Sequence, residues 1–443
     1  MLKFGTDGVR GVANLDLTPE IVLALGRAAA RVLPSGRFVI GRDTRQSGPL
    51  LEAALVAGLT AEGVDVLALG VAPTPAVAWV AAREGIPGAV ISASHNPFED
   101  NGVKLFLPGG TKLDDTTEEA LEATLHDLLR HEITGAPRTG ALVGTVLDGA
   151  DHARRWVLSV AASIEGRRLE GLRVVVDCAN GAGSGFAPDL LRAVGAEVAV
   201  LHDRPDGTNI NAGCGSTHTD DLQQAVTASG ADVGIALDGD ADRAVAVDAA
   251  GRVVDGDQII AIAAIDRRDT GTLVDDTVVV TVMTNLGFRL GMAEHGITVH
   301  EVPVGDRFVL EALTKGGFSL GGEQSGHVIF ADRATTGDGL LTAVQLLDVV
   351  VRTGRSLAEL ADAAMTRLPQ VLRNVRVARR PEEVAGLLVE EVAAAEAELG
   401  DHGRVLIRGS GTEPLVRVMV EAPTAGQAER VADRLAEAVA GLG

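Results

Sequence analysis

Carboxylates stand at alternate positions in GIALDGDADRAVAVD: Asp238, Asp240 and Asp242, followed at once by Arg243. The run closes an apolar stretch that reads as a buried strand, so the three side chains are gathered in one short loop. At about 6 Å and an effective dielectric of roughly 20, each like-charged pair costs about 3 kcal/mol before screening. A hard divalent cation held by oxygen alone, such as Mg²⁺, relieves that repulsion. The alternative is a solvated acidic turn. An EF-hand is excluded, because Arg243 stands where its loop needs Gly and Ala249 where it needs Glu.

Three further loops carry unusual chemistry. In GAVISASHNPFEDNG, Ser94 and His95 follow an apolar run read as a strand over 88–94. Either Ser94 is a nucleophile at the strand's exit, or Ser and Asn merely bond nearby backbone in a turn. The Gly-x-Ser-x-Gly elbow is missing, so a hydrolase triad is disfavoured. Ser92 and Ser94 fall on one strand face, but only Ser94 lies at the exit, which makes Ser92 the structural serine. GGEQSGHVIF sets Glu323, Gln324, Ser325 and His327 between glycines. That group suits sugar hydroxyls, or it is a polar hairpin. RVLIRGSGTEPLVRVMVE offers Arg408, Ser410, Gly411 and Thr412, with Arg417 on the next strand. This is an anion nest fit for a phosphate, or an ordinary hairpin loop.

Those loops need a scaffold. Helical segments alternate with short apolar strands through most of the chain, which predicts α/β units with mostly parallel sheets. Ligands of such sheets sit beyond the carboxyl ends of strands, where these loops fall. The segmentation predicts three similar α/β domains over 1–150, 151–253 and 254–368, and a smaller α+β domain over 369–443. In the last, alternating strands predict an antiparallel sheet. Aromatic residues make up only 2% of the 443 residues, so the cores must be built from Ala, Val, Leu and Ile.

The net charge of −22 repels nucleic acid and anionic membranes, so neither is an expected partner. An anionic substrate then requires a local basic site, which the Arg408 loop supplies. Two cysteines, Cys178 and Cys214, exclude a disulfide framework. MLKFGTDGVRG has no apolar core of a signal peptide, and no apolar run reaches membrane-spanning length. A cytoplasmic location is expected.

SASHNP, DGDADR, GEQSGH and RGSGTEP, in this order and in successive predicted domains, resemble the α-D-phosphohexomutase family across essentially the whole chain. FGTDGVRG, NAGCGSTH and TTGDG are similar to its bacterial amino-sugar branch rather than to the branch acting on glucose and mannose phosphates. One departure is Gly409, where that branch usually has a larger residue; it bears on the stiffness of the loop.

The resemblance implies four domains around a central cleft, and a mutase that interconverts glucosamine 6-phosphate and glucosamine 1-phosphate through a 1,6-bisphosphate, feeding cell-wall precursors. It implies a phosphorylated Ser94, and Mg²⁺ held by Asp238, Asp240, Asp242 and a phosphoserine oxygen. Glu323 and Ser325 would bind sugar hydroxyls. Arg408, Ser410, Gly411, Thr412 and Arg417 would hold the substrate's second phosphate. Arg10, His95, Lys104, Arg243 and His327 match positions lining the family's active site, with His327 or Lys104 as base and His95 orienting the phosphoserine. Closure of the fourth domain about a hinge near 366–372 is expected, as is a homodimer. Two rivals stand beside this: a glucose or mannose phosphate substrate, and an aspartyl-nucleophile phosphatase using Asp238.

Overall fold

The stretch TPEIVLALGRAAARVL reads as a helix with Thr18 as its N-cap, and the structure agrees. Thr18 Oγ1 accepts the Ile21 N–H at 3.5 Å, and Pro19 opens the helix Pro19–Val32. This computed structural model describes residues 8–130, 138–409 and 414–442.

The first sheet has six strands in the order Val9–Val12, Asp100–Phe106, Gly88–Ile91, Arg37–Arg42, Asp65–Val71 and Val146–Asp148. The last four run parallel, and the first two are antiparallel additions at one edge. The second sheet is ordered Val253–Val254, Ala244–Asp248, Val233–Leu237, Arg173–Asp177 and Glu197–Leu201, with the last three parallel. The third is ordered Thr298–Val302, Thr277–Thr281, Leu320–Gly322 and Val328–Phe330, with only the last strand antiparallel. The mixed, mostly parallel sheets are as expected. The fourth sheet, Gln370–Arg376, Leu415–Glu421 and Arg404–Gly409, is smaller and wholly antiparallel. Its core, including Val384, Val416, Val418, Val420, Val431 and Leu435, is aliphatic, as the scarcity of aromatics requires.

Two local expectations change. The strand read over 88–94 ends at Ile91. Ser92 still donates its N–H to Gly102 O at 3.0 Å, but Ser94 then takes φ +53° and leaves the sheet. The sequence over 381–399 reads as one helix, but the structure has two, Pro381–Gly386 and Val389–Leu399. The break turns Leu388 into the core, fully buried, while Leu387 faces solvent.

The described residues form two compact units. One holds the first three sheets: residues through Val282 together with Ile297–Ala361. The other combines Met283–Gly296 with the chain from Asp362 onward. Within the second unit, buried Glu421 accepts from Leu286 N at 2.9 Å and from Arg404 Nε at 3.1 Å. Asn285 exchanges bonds with both backbone groups of Leu368, each at 3.0 Å. The helix Leu286–Glu294 is thereby tied to the antiparallel sheet.

In the first unit, the helix Gly339–Thr353 is capped by Asp338, which accepts Leu341 N–H at 2.9 Å. The other carboxylate oxygen accepts Trp156 Nε1–H, also at 2.9 Å. Burial pushes Asp338 up to about 6, against the pull of these donors. A raised carboxyl pKa means that the folded state favours the protonated form. Its contribution to stability is complete below the ordinary carboxylate pKa and is lost as pH rises through about 6. Only Trp79 and Trp156 are tryptophans. In a Trp79→Phe variant, the emission of Trp156 is expected to titrate with a midpoint near 6. A flat profile between the ordinary carboxylate range and neutrality contradicts this reading of Asp338.

Candidate active site

The Asp loop begins where the strand Val233–Leu237 ends. Ala241 occupies the left-handed region at φ +54°, and its N–H returns to Asp238 O at 3.1 Å, so the three carboxylates converge. Oxygens of Asp238, Asp240 and Asp242 lie within 4.8 Å of one another, all three residues buried. The solvated-turn alternative is thereby removed. A Cβ on Gly239 would stand 2.5 Å from Ser94 O, so glycine is required where this loop touches the serine loop.

Ser94 is 1% exposed, and its Oγ donates to Asp238 Oδ2 at 2.6 Å. His95 Nδ1 lies 3.3 Å from the same Oγ. Burial, then the charges of Arg243 and Arg10, push His95 down to about 4, so its ring is neutral near pH 7. Arg10 reaches Ala93 O at 3.3 Å from the edge strand. Ser92, by contrast, gives its hydroxyl to Asp43 Oδ2 at 2.6 Å.

Charge in the cluster is balanced by side chains from other elements. Lys104, 2% exposed on Asp100–Phe106, reaches Asp240 at 2.9 Å and Asp242 at 3.3 Å. Thr74 Oγ1 donates to Asp240 at 2.5 Å. His327 Nδ1 lies 3.7 Å from Asp242, while its Nε2 accepts Gly337 N–H at 3.0 Å and lies 3.5 Å from Asp306. Arg243 Nε stands 3.8 Å from Asp242, and the Arg243 N–H donates to Asp238 at 3.2 Å. Burial opposes ionisation of Asp242, but Lys104 and Arg243 more than offset it and hold this carboxyl well below the ordinary value. Burial, then repulsion from Asp242 and Asp240, drives Asp238 well above it.

The compensation is incomplete. Asp240 Oδ1 and Asp242 Oδ1 are buried without a hydrogen-bond partner among the described residues. Unpaired buried carboxylate oxygens are costly, and an oxygen-only set of this kind fits a hard divalent cation.

The GGEQSGH segment is the turn between Leu320–Gly322 and Val328–Phe330. Gly326, at φ +92°, lets the turn dock on the second sheet, where a Cβ would meet Ala244 O at 2.3 Å. Glu323 Oε1 accepts Gly305 N–H at 3.2 Å. Ser325 Oγ is buried and has no hydrogen-bond partner among the described residues. The structure thus brings Ser94, His95, Arg10, Lys104, the three aspartates, Arg243 and His327 together within the first unit, with Glu323 and Ser325 on the docked turn. Arg408 and Arg417 belong to the second unit, directly opposite each other across antiparallel strands. Burial and the neighbouring Arg417 charge lower the Arg408 pKa. Ser410, Gly411 and Thr412 lie outside the described residues.

Sequence reasoning missed several contributors. Thr74, Asp306 and Lys112 were not singled out, although Lys112 pairs with Asp306 at 2.5 Å beside His327. Nor were Arg45 and Asn211, which hold the serine loop. The one signal in reach was GRDTR, charged residues directly after a buried strand. A second group with metal-type donors, Asp177, His202 and Cys214, is committed to local bonds. Asp177 accepts Ala179 N–H and Gly215 N–H at 2.8 and 2.9 Å, and His202 bridges Asp177 and Asp221.

Successive segments match the phosphoglucomutase/phosphomannomutase α/β/α domain I over 1–130, domain II over 154–251, domain III over 255–368 and the C-terminal domain over 372–438. The chain belongs to this family, the α-D-phosphohexomutases, whose members are isomerases by phosphoryl transfer. It is 57% identical to phosphoglucosamine mutase of Saccharopolyspora erythraea over 447 residues, 99% of each chain. It is 57% identical to the enzyme of the same name from Frankia casuarinae, covering 98% of this chain and 97% of that one. The crystal structure of a phosphoglucomutase/phosphomannomutase family protein from Burkholderia thailandensis superposes with a TM-score of 0.80 at 25% identity, covering 99% of this chain and 97% of that one.

The unpaired carboxylate oxygens make a cation prediction. Mg²⁺ at a hundredfold excess over its dissociation constant is expected to stabilise the parent by about 2.7 kcal/mol, read as a rise in Tm. Asp240→Asn and Asp242→Asn should lose most of that rise. An equal Mg²⁺ response in both variants would remove the cluster as the cation site.

Proposed function

We propose that the enzyme interconverts glucosamine 6-phosphate and glucosamine 1-phosphate, with Ser94 as phosphoryl carrier. Near-full-length identity to phosphoglucosamine mutases carries the substrate assignment. The placement of Ser94 Oγ at 2.6 Å from the buried Asp cluster supports the carrier role.

In the forward half-reaction the P–Oγ bond of phosphoserine 94 breaks, and a P–O bond forms to the free hydroxyl of the monophosphate. The hydroxyl proton passes by way of His327 or Lys104, the groups facing the cluster, to Ser94 Oγ, which leaves as a neutral hydroxyl. The product is glucosamine 1,6-bisphosphate. After it turns over in the site, its other phosphate returns to Ser94 by the reverse steps. Asp238, Asp240 and Asp242, with a phosphoserine oxygen, would hold Mg²⁺, which when bound neutralises charge on the transferring group. Arg10, Arg243 and neutral His95 orient that group. Glu323 and Ser325 take sugar hydroxyls, the latter with an otherwise unpartnered Oγ. Arg408, Ser410, Gly411, Thr412 and Arg417 bind the phosphate that is not reacting.

The division at 150/151, 253/254 and 368/369, a cytoplasmic homodimer and closure about a hinge near 366–372 belong to the same reading. Among the described residues no helix is long and apolar enough to cross a membrane.

Two tests decide the function. With trace bisphosphate present, glucosamine 6-phosphate should be turned over faster than glucose or mannose 6-phosphate; if it is the slowest of the three, the substrate assignment fails. Ser94→Ala should lose at least about a thousandfold in kcat, the scale of removing a covalent carrier, while Ser92→Ala keeps substantial activity. Full activity in Ser94→Ala, with label on Asp238, would instead mark an aspartyl-nucleophile phosphatase. Closure has its own check, since scattering profiles should contract when sugar phosphate is added. Unchanged profiles count against the hinge.

A further inference from the structure

GRDTRQSG follows the strand Arg37–Arg42, and its second arginine is not solvated. Arg45 is 1% exposed. A guanidinium carries five N–H donors, and all five are used. Nε pairs with Asp43 Oδ2 at 2.8 Å. Nη2 donates to Ser94 O at 2.9 Å and to Asn96 O at 2.8 Å, and Nη1 donates to Pro97 O and to Asp100 O. One buried cation thus gathers four carbonyls of the serine loop. Asn211, from the loops of the second sheet, adds its amide to two of them, reaching Ser94 O at 2.9 Å and Asn96 O at 3.1 Å.

The other backbone group of Ser94 is held through the same anchor. Its N–H donates to Ser92 Oγ at 2.9 Å, and Ser92 in turn bonds Asp43, the partner of Arg45. Neighbours of Arg45 dock on the second sheet's loops: Thr44 Oγ1 donates to Asn180 O at 2.6 Å, and Gln46 N–H to Gly207 O at 2.8 Å. These bonds enforce a backbone state that serine seldom adopts, φ +53°. That state is what aims Oγ at Asp238.

We propose that Arg45 and Asn211 are positioning residues for phosphoryl transfer, clamping the Ser94 backbone from two sheets so that its oxygen stays registered on the Asp cluster. The proposal rests on Ser94 as phosphoryl carrier. A carrier that must serve two hydroxyls of a turning intermediate cannot drift. A loosened loop would misalign the transfer and expose the phosphoserine to water, whose oxygen would bond to phosphorus as the P–Oγ bond breaks, giving serine and inorganic phosphate.

The test uses the full chain labelled with ³²P-glucosamine 1,6-bisphosphate. Asn211→Gly removes the amide at a position of φ +57°, which glycine adopts freely. Arg45→Lys keeps the charge but supplies at most three donors. Expected are a kcat about tenfold lower in Asn211→Gly and on the order of a hundredfold lower in Arg45→Lys, in line with ångström-scale misplacement. KM should stay unchanged, and inorganic phosphate should leave the labelled enzyme several times faster. If Arg45→Lys does not fold, Asn211→Gly alone decides. A folded Asn211→Gly with parental kcat and phosphate release overturns the clamp while leaving Ser94 labelled. A raised KM with unchanged kcat also overturns it, because the residue would then act on sugar binding. A parent that turns over without label on Ser94 removes the carrier reading, and the clamp falls with it.

Discussion

Enclosing three carboxylates beside a serine, out of reach of bulk water, is the constraint around which the first unit is built. The repulsion cannot be screened by solvent, so it must be met by groups brought from elsewhere. Lys104 comes from the antiparallel edge of the first sheet, Thr74 from a helix start, and His327 from the third sheet. None of these neutralises the cluster fully, and the two unpartnered oxygens on Asp240 and Asp242 show where the balance stops. A site that was electrically complete without a cation would have no reason to hold one.

The same constraint explains the close backbone approaches. Gly239 touches Ser94 O, Gly326 touches Ala244 O, and the Gly339 N–H donates to Ala241 O at 3.0 Å. Three sheets meet at main-chain distance because the side chains that must converge are short. Aspartate and serine reach only a few ångströms, so the loops themselves have to come together.

Much of this was legible in the sequence. Helix–strand alternation announced the sheets, and the Asp run, the Ser–His pair and the GEQSGH turn were conspicuous because polar residues follow apolar strands. Ser94 was separable from Ser92, although the reason changed: the strand stops at Ile91, and it is Asp43 that claims Ser92. Arg45 and Asn211 escaped notice because they act on backbone carbonyls far away in sequence. A carbonyl is common to every residue, so no residue type marks the acceptor. The break at Leu387–Leu388 escaped for a related reason, since which leucine turns inward depends on the sheet beneath it. Arg408 and Arg417 were legible as members of one basic loop and the strand after it, but their facing positions come from the register of the two strands.

The contributions of separate sheets to one cluster also bear on how the chain matures. Residues 45, 94, 104, 211, 238 and 327 span most of the first unit, so the contacts among them close long stretches of chain. Contacts of such long sequence separation form late, after loop-closure entropy has been overcome. The carboxylate cluster is therefore among the last parts of the first unit to be assembled, because it draws on residues from all three of its sheets.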